Sequence, residues 1–166
     1  TEGPEVAKGR QDVLEFMLIN HPLDCPVCDQ AGECDLQDFT YQYRGGLSRF
    51  KEPKVTKHTK DLGPNIRIWG NRCIVCTRCV RFCEEVSKTG ELCVVNRGDH
   101  SVVDAFPGIP IDNPVSLNVV DICPVGALID KNFLYQARVW FARETESVCA
   151  SCARGCNVKI TALDNQ

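Results

Sequence analysis

The apolar positions of this chain come in short, interrupted groups. Val13, Leu14, Phe16, Met17 and Leu18 mix helical spacing with near-continuous burial, and Asp12 stands where it can cap such a helix. Pro22 stops it just after Asn20-His21. This longest apolar stretch, Val13 to Ile19, is broken by Glu15 and is far too short to cross a bilayer. Leu92-Cys93-Val94-Val95 reads as a strand, and the alternation from Asn157 to Ala162 reads as the start of another. Asn113-Pro114 and the turn beginning at Cys123-Pro124 mark loops around a short helix. Phe133, Tyr135, Val139, Trp140 and Phe141 predict a helix-to-strand connection packed on a neighbouring unit. The fold class is α+β, poor in regular structure. The expected division is 1–50, a linker over 51–70, then 71–142 and 143–166.

A length of 166 residues with 43% hydrophobic side chains permits one or two small cores. Twelve cysteines change the picture, because an ordinary intracellular domain has few. Disulfides, zinc and iron–sulfur clusters are the available uses, and spacing decides between them. Neighbours two residues apart do not pair off as structural bridges, so the tight trios here favour metal. A net charge of −3 gives no reason to expect nucleic acid or an anionic membrane. Lys51, Lys54, Lys57, His58 and Lys60, with Pro53 and Gly63-Pro64 nearby, read as a solvated connector.

The run Cys73, Cys76, Cys79, Cys83 follows C-x2-C-x2-C-x3-C. Bacterial ferredoxins carry this spacing, and there the fourth cysteine serves the other cluster of a pair. The ligand missing from the first trio must come from a distant Cys-Pro, and Cys123-Pro124 supplies it. A second full motif ending at Cys123 would need thiols at Asn113, Ser116 and Val119, and none is present. The segment thus resembles a two-cluster ferredoxin that kept one site. Cys73, Cys76, Cys79 and Cys123 would hold one 4Fe-4S cube. Cys83, followed by Glu84 rather than proline, and Cys93 are expected to be free apolar side chains.

Upstream, His21, Cys25, Cys28 and Cys34 follow H-x3-C-x2-C-x5-C. Three thiolates and an imidazole are also a zinc set, and ligand identity alone favours zinc. The ferredoxin-like run downstream tips the reading toward iron and sulfide. Asn20 to Gln30, Gly32 to Asp38, Ser48-Arg49-Phe50, Asp61 to Pro64, the Cys73 run and Asp121 to Leu128 resemble the large iron–sulfur subunit of respiratory complex I, the NADH–quinone oxidoreductase. The resemblance covers nearly the whole chain. It implies a His-ligated 4Fe-4S cluster on His21, Cys25, Cys28 and Cys34, and an all-cysteine one on Cys73, Cys76, Cys79 and Cys123. Family members begin with a plant-type 2Fe-2S domain, whose C-x4-C-x2-C spacing is absent here. They continue into a molybdopterin-oxidoreductase-like domain of which only the first edge is present, so an internal fragment is expected.

Cys149, Cys152 and Cys156 follow C-x2-C-x3-C. The pattern resembles an additional 4Fe-4S site of some bacterial members and of molybdopterin enzymes, with the fourth ligand absent from this chain. A cluster there would be missing, labile or three-iron, and zinc stays open.

The chain has no nucleophile–base constellation, phosphate-binding glycine loop or dinucleotide fingerprint, and His58 and His100 receive no catalytic role. It is expected to carry single electrons without a substrate site of its own, as part of an oxidoreductase. By resemblance its neighbours are the NADH- and flavin-binding subunit and the quinone-proximal iron–sulfur subunits. Nucleic acid and direct membrane insertion are not expected. Its place would be peripheral on the cytoplasmic face of the inner membrane, or on the matrix side in an organelle. Two alternatives remain at this point: the equivalent module of an NAD-reducing hydrogenase or NAD-linked formate dehydrogenase, and a structural zinc scaffold.

Overall fold

A computed structural model describes residues 2–43 and 47–163. Helix α1 spans Pro4–Leu18, with Pro4 in the first turn and Glu5 beside it. A proline there has its φ already set for helix and no amide to waste, and an acidic side chain suits the positive end of the helix dipole. That start overrides the expected one at Asp12, which lies inside the helix. There it pairs with Lys8 at 2.7 Å and Arg49 at 2.8 Å. The helix stops at Leu18, before Pro22, and Lys54 Nζ donates to the Leu18 and Ile19 carbonyls at 2.7 Å each. Helix α2, Asp35–Tyr43, opens with Asp35 and Asp38 in its first turn. Leu14 of α1 and Leu36 of α2 are buried together against Val125 and Ala127.

Strands β1 (Thr59–Asp61) and β2 (Ile66–Trp69) fall in the stretch read as a linker. They join a later strand, β5 (Leu128–Asp130), in an antiparallel sheet of order β1-β2-β5. Ile68 lies opposite Leu128 and Ile66 opposite Asp130. The period of two sends Ile66 and Ile68 into the core. Arg67 and Lys131 both bind the Asp61 carboxylate, at 2.7 and 3.0 Å, and hold its pKa at about 2. The basic stretch is not merely solvated, since Lys57 donates to the Ser101 carbonyl and Lys60 pairs with Asp104. Both tie it to the hairpin of β3 (Leu92–Val95) and β4 (Val102–Ala105).

Between these strands lie α3 (Arg78–Arg81), continued by a wider π turn at Phe82–Val86, and α4 (Asn118–Asp121). Ile66, Ile68, Val80, Leu92 and Leu128 form one apolar core with Cys83 and Val119. The positions at which a second ferredoxin cluster would sit are therefore occupied by packing. Cys83 and Val119 are fully buried, Ser116 nearly so, and Asn113 donates to buried Glu91. Cys93 is half-buried on β3.

After β5 the chain makes turns and a short 3-10 segment at Val139–Phe141, where a helical connection was expected. Strands β6 (Ala142–Val148) and β7 (Asn157–Leu163) then pair as a largely exposed hairpin, Ala142 opposite Leu163 and Val148 opposite Asn157. Residues 164–166 of the expected last unit lie outside the described residues. Among the described residues no helix is long and apolar enough to cross a membrane.

Candidate metal centres

The first candidate centre is a loop between α1 and α2. Pro26 sits in a 3-10 turn over Cys25–Val27, which is closed by Val27 N–H to the Asp24 carbonyl and Cys28 N–H to the Cys25 carbonyl. Gly32 has φ +94°, and a Cβ there would meet Val139 Cγ2 at 2.8 Å and Trp140 Cε3 at 3.0 Å. The glycine thus permits both the turn and the close approach of the 139–140 segment. Cys34 stands at the entrance of α2, its carbonyl accepting from Asp38 N–H at 3.0 Å. Cys28 and Cys34 are buried and Cys25 half-buried.

These three thiols are near enough to feel one another's charge, and burial pushes Cys28 and Cys34 up. His21 shares with Cys28 the surroundings of Asp24 and Arg72. Burial lowers the pKa of its imidazole, which favours the neutral ring. Its Nδ1 is buried and has no hydrogen-bond partner. A neutral imidazole with an unpaired buried nitrogen is the form that binds a metal. Arg138 holds the loop from outside, donating to the carbonyls of Cys28, at 2.7 Å, and Pro26. Tyr135 N–H reaches Asp29 Oδ2 at 3.0 Å.

The second centre is wrapped by the run Cys73–Cys79 and closed by Cys123, at the end of α4. Val75 and Thr77 have φ of 53° and 62°, a left-handed backbone that costs a β-branched residue energy. Two such residues in one short run bend the chain back around a common point. Cys73, Cys76, Cys79 and Cys123 line an apolar recess with Ile68 and Leu128. Burial pushes Cys73 and Cys123 up and Cys79 up to about 12, with the other thiols adding to the shift. Backbone amides of Val125, Ala127 and Leu128 act on Cys123 in the opposite sense. Among the described residues, no three His, Cys, Asp or Glu side chains converge tightly enough to enclose a single metal ion.

One loop, Cys123 to Ala127, separates the two centres. It carries Cys123 on one side; on the other, a Cβ on Gly126 would lie 2.1 Å from Cys28 Sγ. Cys34 Sγ reaches the Pro124 carbonyl at 3.8 Å. Val125 and Ala127 pack with Cys34, and Cys73 and Cys123 lie against the same cluster. Arg72 enters here too, only 1% exposed, with Asp24 at 2.7 Å. The sequence showed Arg72 only as a charge beside Cys73; nothing local revealed its burial, or the tight fits at Gly126 and Arg138. The third set is different. Cys152 and Cys156 are exposed at the end of the β6–β7 hairpin, joined by Cys149 N–H to the Cys156 carbonyl at 2.8 Å. Hydrogen bonds from Ser151 lower the Cys149 thiol.

Two family models match. Residues 10–47 fit the NADH-ubiquinone oxidoreductase-G iron–sulfur binding region, and residues 63–129 fit the ferredoxin-like domain of NADH-quinone oxidoreductase subunit 3. Each match encloses one of the two buried centres. The NADH-quinone oxidoreductase G-type subunit of Rickettsia bellii is 45% identical over 160 residues, covering 96% of this chain and 24% of that protein. The NADH-ubiquinone oxidoreductase 75 kDa subunit of Reclinomonas americana is 46% identical, covering 96% and 23%. A crystal structure of an NAD+-reducing NiFe hydrogenase superposes with a TM-score of 0.72 at 25% identity, covering 83% of this chain and 60% of the other. The chain spans about a quarter of the length of the curated relatives it matches. It belongs with the large iron–sulfur subunits of NADH–quinone oxidoreductase, the G-type or 75 kDa family.

Proposed function

We propose that this chain is an electron-relay module of an NADH–quinone oxidoreductase, holding two 4Fe-4S clusters in series. His21, Cys25, Cys28 and Cys34 hold the first; Cys73, Cys76, Cys79 and Cys123 hold the second. The observation that carries the reading is that Cys73, Cys76, Cys79 and Cys123 line one recess while Cys28 and Cys34 lie across the Cys123–Ala127 loop from it; the orphaned imidazole nitrogen of His21 adds support. A single zinc would draw thiolates to within about 4 Å of one another, given Zn–S bonds of about 2.3 Å. The ferredoxin-like spacing of Cys73, Cys76, Cys79 and Cys123 and the two iron–sulfur family matches favour a cube over zinc. Cys149, Cys152 and Cys156 supply three donors of a further site.

A bound cube takes up and returns one electron at a time, at a potential set by its surroundings. The rest is the work of this chain. The buried thiols give up their protons on loading, His21 offers a neutral ring, and the apolar wall of Ile68 and Leu128 keeps water from the second site. The His-ligated module over 1–50 is tied down by Lys54, which donates to the Leu18 and Ile19 carbonyls. The ferredoxin-like unit runs to about residue 142 and its sheet recruits β1 and β2. The last unit, over 143–166, carries Cys149, Cys152 and Cys156. The chain's neighbours are the other subunits of the complex: an NADH- and flavin-binding one and quinone-proximal iron–sulfur ones. Its place is peripheral to the membrane. The hydrogenase likeness supports a relay of the same kind, but its identity is far below that of the oxidoreductase relatives.

The test is iron, acid-labile sulfide and zinc analysis of anaerobically prepared protein, with electron paramagnetic resonance after dithionite. About eight irons and eight sulfides for the two buried sites, and two distinct signals, are expected. Zinc without sulfide would overturn the reading.

A further inference from the structure

Arg72 precedes Cys73 in the chain, and sequence position alone assigns its charge to the second centre. The geometry assigns it elsewhere. Its Nε and Nη2 donate to Asp24 Oδ2 at 3.0 and 2.7 Å, and Nη1 lies 3.4 Å from the Gly126 carbonyl. Nη2 is also 3.5 Å from the Val27 carbonyl, and the guanidinium stacks 4.4 Å from the Trp69 ring centroid. Asp24 and Val27 flank Cys25 and Cys28 in the first-centre loop. An arginine buried this completely is costly unless its charge is matched, and the structure matches it with one carboxylate and the loop's own carbonyls.

We infer that Arg72 and Asp24 form a charge pair, inserted from the second unit, that sets the reduction potential of the first centre. This rests on the cluster reading above. Reduction adds one negative charge to a bound cluster, so a fixed cation nearby favours the reduced form and a fixed anion opposes it. The water-screened charges of Arg78 and Arg81, both on the surface side of α3, lack this leverage. Arg72 touches no reacting atom in this scheme; it is a positioning and tuning residue, and Asp24 is its counterweight.

The experiment is potentiometric titration of the anaerobically reconstituted chain, followed by electron paramagnetic resonance. The first-centre signal is identified as the one that survives Cys79→Ala. Arg72→Gln is expected to lower the first-centre midpoint, and Asp24→Asn to raise it. Arg72→Lys should return it close to the parent value, and the second-centre midpoint should move less in every case. Opposite shifts from the two neutralising variants establish a charge effect, because loosened packing would not reverse sign. If Arg72→Gln fails to assemble, the direction of the Asp24→Asn shift decides. Shifts of the same sign, no shift with Asp24→Asn, or a larger change at the second centre overturns the inference while leaving the cluster reading intact. A parent chain with neither signal removes both.

Discussion

At His21 the proposed metal site turns on one atom. Its Nδ1 is enclosed, unpaired and attached to a ring that burial keeps neutral. Replacing a neutral imidazole by a thiolate adds a negative charge, so His21→Cys should retain a cluster and lower its midpoint potential. An unchanged redox titration would show that His21 is not a ligand. Cys79 and Cys93 make a matched pair of tests. Cys79 is buried among three other thiols, whereas Cys93 is half-buried on β3. Cys79→Ala should remove about four irons per chain, and Cys93→Ala none, by iron and sulfide analysis. The proposed donors can be named from sequence because chelation by Cys25, Cys28 and Cys34, or by Cys73 to Cys79, would depend on local spacing. Arg72 could not, because its carboxylate lies 48 positions away.

At the scale of elements, the strands visible in advance were those rich in β-branched side chains, Leu92–Val95 and Asn157–Leu163. Thr59–Asp61 is polar and wholly exposed, and becomes a strand only by pairing with β2. No periodicity announces such a strand. The start of α1 was misplaced because Asp12 has the chemistry of a cap, whereas Pro4 fixes the backbone one stage earlier. The loops carry the tighter constraints. A methyl group on Gly126 has no room beside Cys28 Sγ, and overpacking of this kind costs about 1–3 kcal/mol. Gly126→Ala is therefore expected to cost the first centre most of its iron, read as loss of its paramagnetic signal.

For the whole molecule, the first centre depends on a segment more than a hundred positions downstream, through Arg138 and Tyr135. A chain ending after Phe141 should keep both buried clusters. One ending after Leu134 should lose the first in preference to the second, as iron content and the two signals would report. Acid–base behaviour is also a property of the whole fold. Thiol pKa values raised from about 8.5 mean that the folded, metal-free chain favours the protonated form. That contribution to stability is complete below the ordinary thiol range and is lost as pH rises toward about 12 at Cys79. Urea melts between about pH 7 and about pH 10 should show the metal-free chain weakening faster than the loaded one, whose ligands hold no such protons.

Length, more than composition, is what the stretch Pro124–Ala127 cannot vary. One inserted residue would displace Cys123 from its own set and push a new side chain toward Cys28 in the same event. Two cysteine-lined sites that would otherwise drift independently in a lineage are thereby obliged to change together.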